Sequence, residues 1–147
     1  MFTRSYFFRF VLSGAILLAG GVALQAANVQ VDVKGMDGKS VNGAEVRIEG
    51  GGTGVALSGK TDQKGRYVFK NLGTGTYKVT VLVNKVPASL DNVKARSEGP
   101  VRVEVNLKAI AAGKKPKQWA WVTELGSGYS GRWVELDERG RLPAGTQ

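Results

Sequence analysis

Residues 61 to 83, TDQKGRYVFKNLGTGTYKVTVLV, constrain the fold of this chain more than any other stretch. Asp62 to Gly65 spells a tight turn: an aspartate carboxylate bonds backbone amides two residues on, and a glycine accepts positive φ. Tyr67 and Phe69 then share one face, with Arg66, Val68 and Lys70 on the other. Leu72 plugs a corner at which Gly73 and Gly75 let the chain reverse. Tyr77, Val79, Val81 and Val83 alternate with Lys78, Thr80 and Leu82. Period-two patterning on both sides of glycine-punctuated turns specifies strands with one buried face.

The same pattern recurs on either side. Val29, Val31 and Val33 alternate with Gln30, Asp32 and Lys34, and Asp37-Gly38 turns the chain back. Ala44, Val46 and Ile48 alternate with Glu45, Arg47 and Glu49, and the glycines of 50–54 break that strand. A third, less regular strand runs from about Val55 to Thr61. Val93 and Ala95 start a short strand, and Val101, Val103, Val105 and Leu107 close the set against Arg102, Glu104 and Asn106. Seven strands at short spacing with no helix signal predict an all-β fold, a seven-stranded antiparallel β-sandwich over residues 28–112.

What the chain lacks excludes more chemistry than any residue present implies. It has no cysteine, so no disulfide, no lipid-modified cysteine after a leader and no thiolate metal site. It has no histidine, which removes imidazole bases, Ser-His-Asp triads and nearly all zinc chemistry. No cofactor is expected. The glycine run 50–54 lacks the lysine and following helix of a phosphate loop. Asp37 and Asp62 each stand alone as carboxylates, whereas calcium takes several oxygens. Glu124 and Glu135 could face each other across a hairpin, but nothing nearby marks a cleft, and no enzyme is expected. The net charge of +9 is scattered along strands and interleaved with acids, which favours solubility and weak attachment to anionic surfaces. Nucleic-acid binding needs the charge clustered on one face and is not expected.

Residues 1–27 read as a secretory signal peptide. Arg4 and Arg9 supply the basic start, Phe10 to Leu24 the apolar run, and Ala26 and Ala27 the small residues of a cleavage site. The apolar run is short of the roughly 20 residues of a spanning helix, so no stable membrane span is expected after cleavage. The expected location is outside the cytoplasm: periplasm, cell surface or extracellular.

The run from Val29 to Lys108 resembles the carboxypeptidase regulatory-like domain, a transthyretin-like and carbohydrate-binding-like sandwich. The resemblance is carried by Gly43-Ala44-Glu45-Val46, by Thr61-Asp62 with Gly65, Tyr67 and Phe69, and by Leu72, Gly75, Tyr77, Val79 and Val81. Similar domains occur in exported bacterial proteins, in outer-membrane receptors and beside polysaccharide-active enzymes. The matching residues are turn and core residues, so the resemblance implies a fold and not an activity. The related adhesin stalk B domains carry a lysine cross-link promoted by a glutamate. Lys34 lies near the equivalent lysine, but Lys70 and Asn71 occupy the region where that glutamate is expected, and no cross-link is predicted. Tyr67, Phe69 and Tyr77 are all on core-phase positions, which leaves the sandwich itself without exposed rings for sugar stacking.

The composition changes at Gly113. Residues 113–118 read as a basic linker around Lys114-Lys115-Pro116-Lys117, and residues 119–147 as a Trp-rich hairpin and tail holding all three tryptophans. Trp119, Trp121, Thr123 and Leu125 alternate with Ala120, Val122 and Glu124, and Arg132 to Leu136 makes a second strand across a glycine loop. Residues from Glu135 on read as a solvated terminus. A lone hairpin is marginal in water, so this one must dock. It can pack on its own sandwich, bind a protein through Trp and Arg anchors, or offer a sugar-stacking surface. Trp119, Trp121, Tyr129, Trp133 and Arg132 are the candidate binding residues. The function expected is an exported, non-enzymatic structural or protein-interaction scaffold with a Trp-rich docking segment, its partner an envelope or extracellular protein. The alternatives are a carbohydrate-binding module for cell-wall or extracellular glycan, and an accessory subunit without its enzyme.

Overall fold

The computed structural model describes residues 26–52, 54–123 and 130–146. Most of the expected leader, and with it Arg4, Arg9 and the apolar run, lies outside them. So do Glu124 and Tyr129.

Nine strands and one short helix follow in order: β1 (Ala27–Lys34), β2 (Glu45–Gly50), β3 (Val55–Lys60), β4 (Arg66–Leu72), β5 (Gly75–Val83), β6 (Val86–Ala95), β7 (Val101–Asn106), α1 (Leu107–Ala111), β8 (Lys117–Thr123) and β9 (Gly131–Glu135). The first seven are the expected sandwich strands, and β8 and β9 are the expected hairpin. One sheet has the order β4-β1-β7-β8-β9 and the other β3-β2-β5-β6. All neighbours are antiparallel except β1 and β7, which run parallel from Val29↔Val101 to Lys34↔Asn106. A purely antiparallel arrangement does not close here. Parallel neighbours need a long connection, and the strands between β1 and β7 supply it by crossing to the second sheet and back.

The alternating valines do what their spacing predicts. Val29, Val31 and Val33 of β1 and Val101, Val103 and Val105 of β7 point inward, fully buried, against Val46 and Ile48 of β2 and Tyr77, Val79 and Val81 of β5. Phe69 and Tyr77 are core residues, and Tyr67 packs edge-to-face on Phe69 with ring centroids 4.8 Å apart. The Tyr77 hydroxyl donates to the Gly73 carbonyl at 2.7 Å, which satisfies its one buried polar atom.

Thr61 pins the two sheets together at one pole. It is buried, its hydroxyl donates to the Val41 carbonyl at 2.6 Å and it accepts from the Ala44 amide at 2.9 Å. Gly65, at φ 70°, comes so close to β1 that a Cβ there would sit 2.6 Å from the Val33 carbonyl oxygen. The Val33 amide in return donates to the Gly65 carbonyl at 2.7 Å.

Three departures from the sequence reading have local causes. β6 starts at Val86, well before Val93, because Asn84 and Lys85 both take positive φ and close a two-residue hairpin with β5. Its alternation is then interrupted by a bulge, with Asn92 at φ 63° and a register shift opposite Tyr77 to Val79. The strand expected to end at Leu107 ends at Asn106, whose side chain caps α1 by accepting from the Ala109 amide at 3.2 Å. Gly113 at φ 80° stops that helix, with its own amide on Ile110 and the Lys114 amide on Ala109. One helical turn is too short to show as a periodicity.

The tail beyond β9 is docked through Leu136 and Gly140, while its charged residues Asp137, Glu138, Arg139 and Arg141 stay exposed. Leu136 is buried, the Gly140 carbonyl accepts from Arg96 at 2.9 Å, and Gly140 lies against the Asn92 carbonyl of β6. This segment repeats an earlier turn. In Asp62-Gln63-Lys64-Gly65-Arg66 the aspartate Oδ1 accepts the amides of residues i+2 and i+4 at 2.8 and 3.0 Å, and in Asp137-Glu138-Arg139-Gly140-Arg141 it does the same at 2.9 and 2.8 Å. Both carboxyls are held below the ordinary carboxylate range, chiefly by the backbone amide four residues on.

Two outcomes are expected. A chain ending at Ala112 loses the strand that covers β7 and should unfold at markedly lower temperature or aggregate through the bared edge, as thermal unfolding beside the full chain will show. A carboxyl depressed in the folded state stabilises above its unfolded pKa and ceases to do so as pH falls through its folded value. Thermal stability should therefore be level at neutral pH and decline below about pH 4, and Asp62→Asn or Asp137→Asn should flatten that acid limb.

Candidate functional site

The hairpin β8–β9 forms the edge of the five-stranded sheet, and its pleat divides its residues between two faces. Gln118 and Ala120 point inward and are buried, as is Leu136 just past β9. Lys117, Trp119, Trp121 and Thr123 point outward, and on β9 the outward positions in register are Gly131, Trp133 and Glu135. All three tryptophans thus share the outer face of the sheet. Trp121 and Trp133 are direct partners across the hairpin, with ring centroids 5.5 Å apart and planes at 72°. Trp119 sits in register between Arg102 of β7 and Glu135 of β9.

Two glycines allow this arrangement. A Cβ on Gly131 would lie 2.6 Å from the Trp121 indole, so the ring occupies the space that a side chain there would need. A Cβ on Gly99 would lie 3.0 Å from the Trp121 carbonyl oxygen, and the Trp121 amide donates to the Pro100 carbonyl at 3.1 Å. Trp119 and Trp121 are half-buried as a result, while Trp133 is 39% exposed.

Arg132 does not join the group. It is the register partner of Val122 and belongs to the opposite face of the hairpin, exposed where the edge overhangs the second sheet. Tyr129 lies outside the described residues. Residues not anticipated take their places beside the tryptophans. Arg102 and Glu135 flank Trp119, and Lys117 pairs with Glu135 at 3.1 Å. Their signal in the sequence is only an alternating charge; the register that brings them here is not visible in it.

The remainder of this face is a lattice of charge. Asp32, on β1, is buried among Arg66 of β4, Arg102 of β7 and the Gln30 amide, with Arg66 Nε at 3.1 Å and Arg102 Nε in direct contact. Lys34 Nζ is 3.2 Å from Glu104 Oε2, a carboxylate supplied by β7 and not by the region after β4. That lysine is 38% exposed and Asn106 opposite it is engaged in capping α1, an arrangement of solvated ion pair and helix cap.

The arrangement offers contact area and no converging chemistry. Among the described residues no group of three His, Cys, Asp or Glu could hold a metal ion. Glu135 is occupied by Lys117. An open cleft of about 780 Å³ lies between the β6 bulge, the 113–118 segment and the turn after β9, its rim holding lysines and carboxylates partly paired with each other. The planes of Trp121 and Trp133 stand at 72° to each other, so the pair does not offer two coplanar faces for stacking on a sugar chain.

A two-sheet β scaffold with an added aromatic edge is the class defined by this fold. The family profile described as the carboxypeptidase regulatory-like domain matches residues 28–108, and the chain belongs to this family. No curated protein matches it in sequence. Among solved structures it is similar to a candidate cell adhesion protein from Bacteroides ovatus, at 10% identity and TM-score 0.46, over 67% of this chain and 46% of that one. It is also similar to the Bacillus anthracis TIE protein, at 12% identity and TM-score 0.45, over 78% of this chain and 25% of that one. A third similar structure is the mercury-inhibited catechol 1,2-dioxygenase from Acinetobacter, at 12% identity and TM-score 0.38, over 67% of this chain and 51% of that one. The chain therefore spans about half or less of the length of each of these proteins.

Gly131→Ala should displace the Trp121 ring, because both the indole and the Val122 carbonyl stand within 2.7 Å of the new methyl. Overpacking of this kind costs about 1–3 kcal/mol. The expected readings are a lowered Tm and a red-shifted tryptophan emission; unchanged values for both would mean that the ring does not sit on the glycine.

Proposed function

We propose that the chain is an exported, non-enzymatic scaffold that docks an envelope or extracellular protein through the outer face of β8–β9. The observation that carries this reading is the gathering of Trp119, Trp121 and Trp133 on one solvent-facing surface with Arg102 and Glu135 at its margin. Tryptophan and arginine are the residues in which binding energy concentrates at protein interfaces, and a half-buried tryptophan held by its neighbours loses little freedom on binding. The edge-to-face pair supports a protein partner over a glycan, since an interdigitating surface can fill the angle between the rings and a sugar chain cannot. Export is supported by the leader pattern of residues 1–27. Arg132 is assigned a role at the edge of the hairpin separate from the tryptophan face.

The test is a photo-reactive residue placed at Trp133, with the same residue at Arg47 on the outer face of the second sheet as control, in cells carrying the full chain. A discrete protein adduct at 133 and none at 47 is expected. Trp133→Ala should then weaken the purified complex by about 2 kcal/mol, with only the small fall in Tm that loss of the edge-to-face contact with Trp121 brings. Adducts lost on glycosidase treatment and kept on protease treatment would replace the protein partner with a glycan.

A further inference from the structure

We propose that one pole of the sandwich rests on an anionic lipid bilayer, independently of the tryptophan face. The pole is the one at which β1 and β7 end. Register places there the loop 35–44, the turn 61–65, the hairpin turn 84–85 and the segment 107–116, and Thr61 bonds the first two together.

The charge of these four segments is one-sided. They hold Lys39, Lys64, Lys85, Lys108, Lys114 and Lys115, all exposed, against the acids Asp37 and Asp62. Both aspartates are exposed and accept backbone amides of their own turns. Lys115 pairs with Glu138, whereas none of the other five lysines makes an ion pair among the described residues. The turn after β9 adds as many acids as bases, and Lys114 and Lys115 share their cleft with Asp91 and Glu135. At the opposite pole the described loops 50–54, 73–74 and 96–100 carry only Arg96 and Glu98, which cancel. The described loops of this pole therefore carry a net positive charge that those of the opposite pole do not.

A second, independent observation selects a bilayer over other polyanions. Among the described residues the two most exposed large apolar side chains are Met36, at 61%, and Val86, at 59%, and both sit at this pole. Met36 tops the turn closed by the Gly38 amide on Gly35, and Val86 follows the Asn84-Lys85 turn. Neither position requires an apolar residue for folding. Apolar tips ringed by lysines match the interfacial layer of an anionic membrane, where lysine ammoniums meet headgroups and a few side chains enter the acyl boundary.

The probe is flotation of the chain from Ala27 on, which holds every described strand and the whole core cluster, with vesicles of phosphatidylcholine alone or mixed with phosphatidylglycerol. Binding to the mixed vesicles and not to phosphatidylcholine is expected, falling at high salt. A lysine at the surface contributes roughly fivefold in affinity, so Lys39→Glu, Lys108→Glu and Lys114→Glu together should weaken binding on the order of a hundredfold. Met36→Ser with Val86→Ser should weaken it about tenfold, while Trp133→Ala leaves it unchanged. No flotation with the mixed vesicles overturns the proposal. So does flotation indifferent to Met36→Ser and Val86→Ser, or retention on heparin without flotation, which would assign the pole to a soluble polyanion.

Discussion

The parallel pairing of β1 with β7 is the contact on which the rest of the molecule depends. Six consecutive residue pairs, Val29↔Val101 to Lys34↔Asn106, join the first strand to the last strand of the sandwich. Their inward valines form the floor of the core, and everything between them must cross to the second sheet and return. The outer side of the same pair is held by Asp32, which draws Arg66 from β4 and Arg102 from β7 onto one carboxylate. Burial of valine on one side and charge on the other are both consequences of a five-residue V-x-V-x-V alternation in each strand. Long-range closure of this kind is entropically costly to nucleate, and the nearly continuous valine faces offset it.

The hairpin β8–β9 extends that floor. By pairing with β7 it covers an edge that would otherwise template aggregation, and by continuing into the turn at 137–141 it reaches β6 of the other sheet. The tail is thus part of the fold and a presenter of side chains at once. Its inward residues, Gln118, Ala120 and Leu136, anchor it, and this anchoring is what leaves the tryptophans facing outward. Surface and stability are coupled through the pleat: even Trp133, the most exposed of the three rings, packs edge-to-face on Trp121.

Much of this was legible in advance, for reasons that differ from residue to residue. Trp119 and Trp121 are two apart and must share a face in any strand, and a register across a glycine loop was enough to suggest Trp133 beside them. The sequence groups Arg132 with the tryptophans because arginine is a favoured interface anchor, yet adjacent strand residues point to opposite faces. The start of β6 is not legible in the sequence because an Asn-Lys turn is a weaker signal than Asn-Gly and a bulge breaks the alternation. The turn Asp137 to Arg141 repeats Asp62 to Arg66, and its charge invited a reading as solvated terminus although its aspartate and glycine specify the same geometry.

The sequence by itself determined the strands, their buried faces and the family, because these follow from local properties: period-two apolarity, glycines where φ must be positive, and aspartates that bond their own turns. Tertiary structure alone decided which strands are neighbours, that β1 and β7 run parallel, and that lysines far apart in the chain meet at one pole. Those outcomes depend on how two twisted sheets share one core. Register and sheet order are collective choices, made by summing burial over all the strands, and no window along the chain contains that sum.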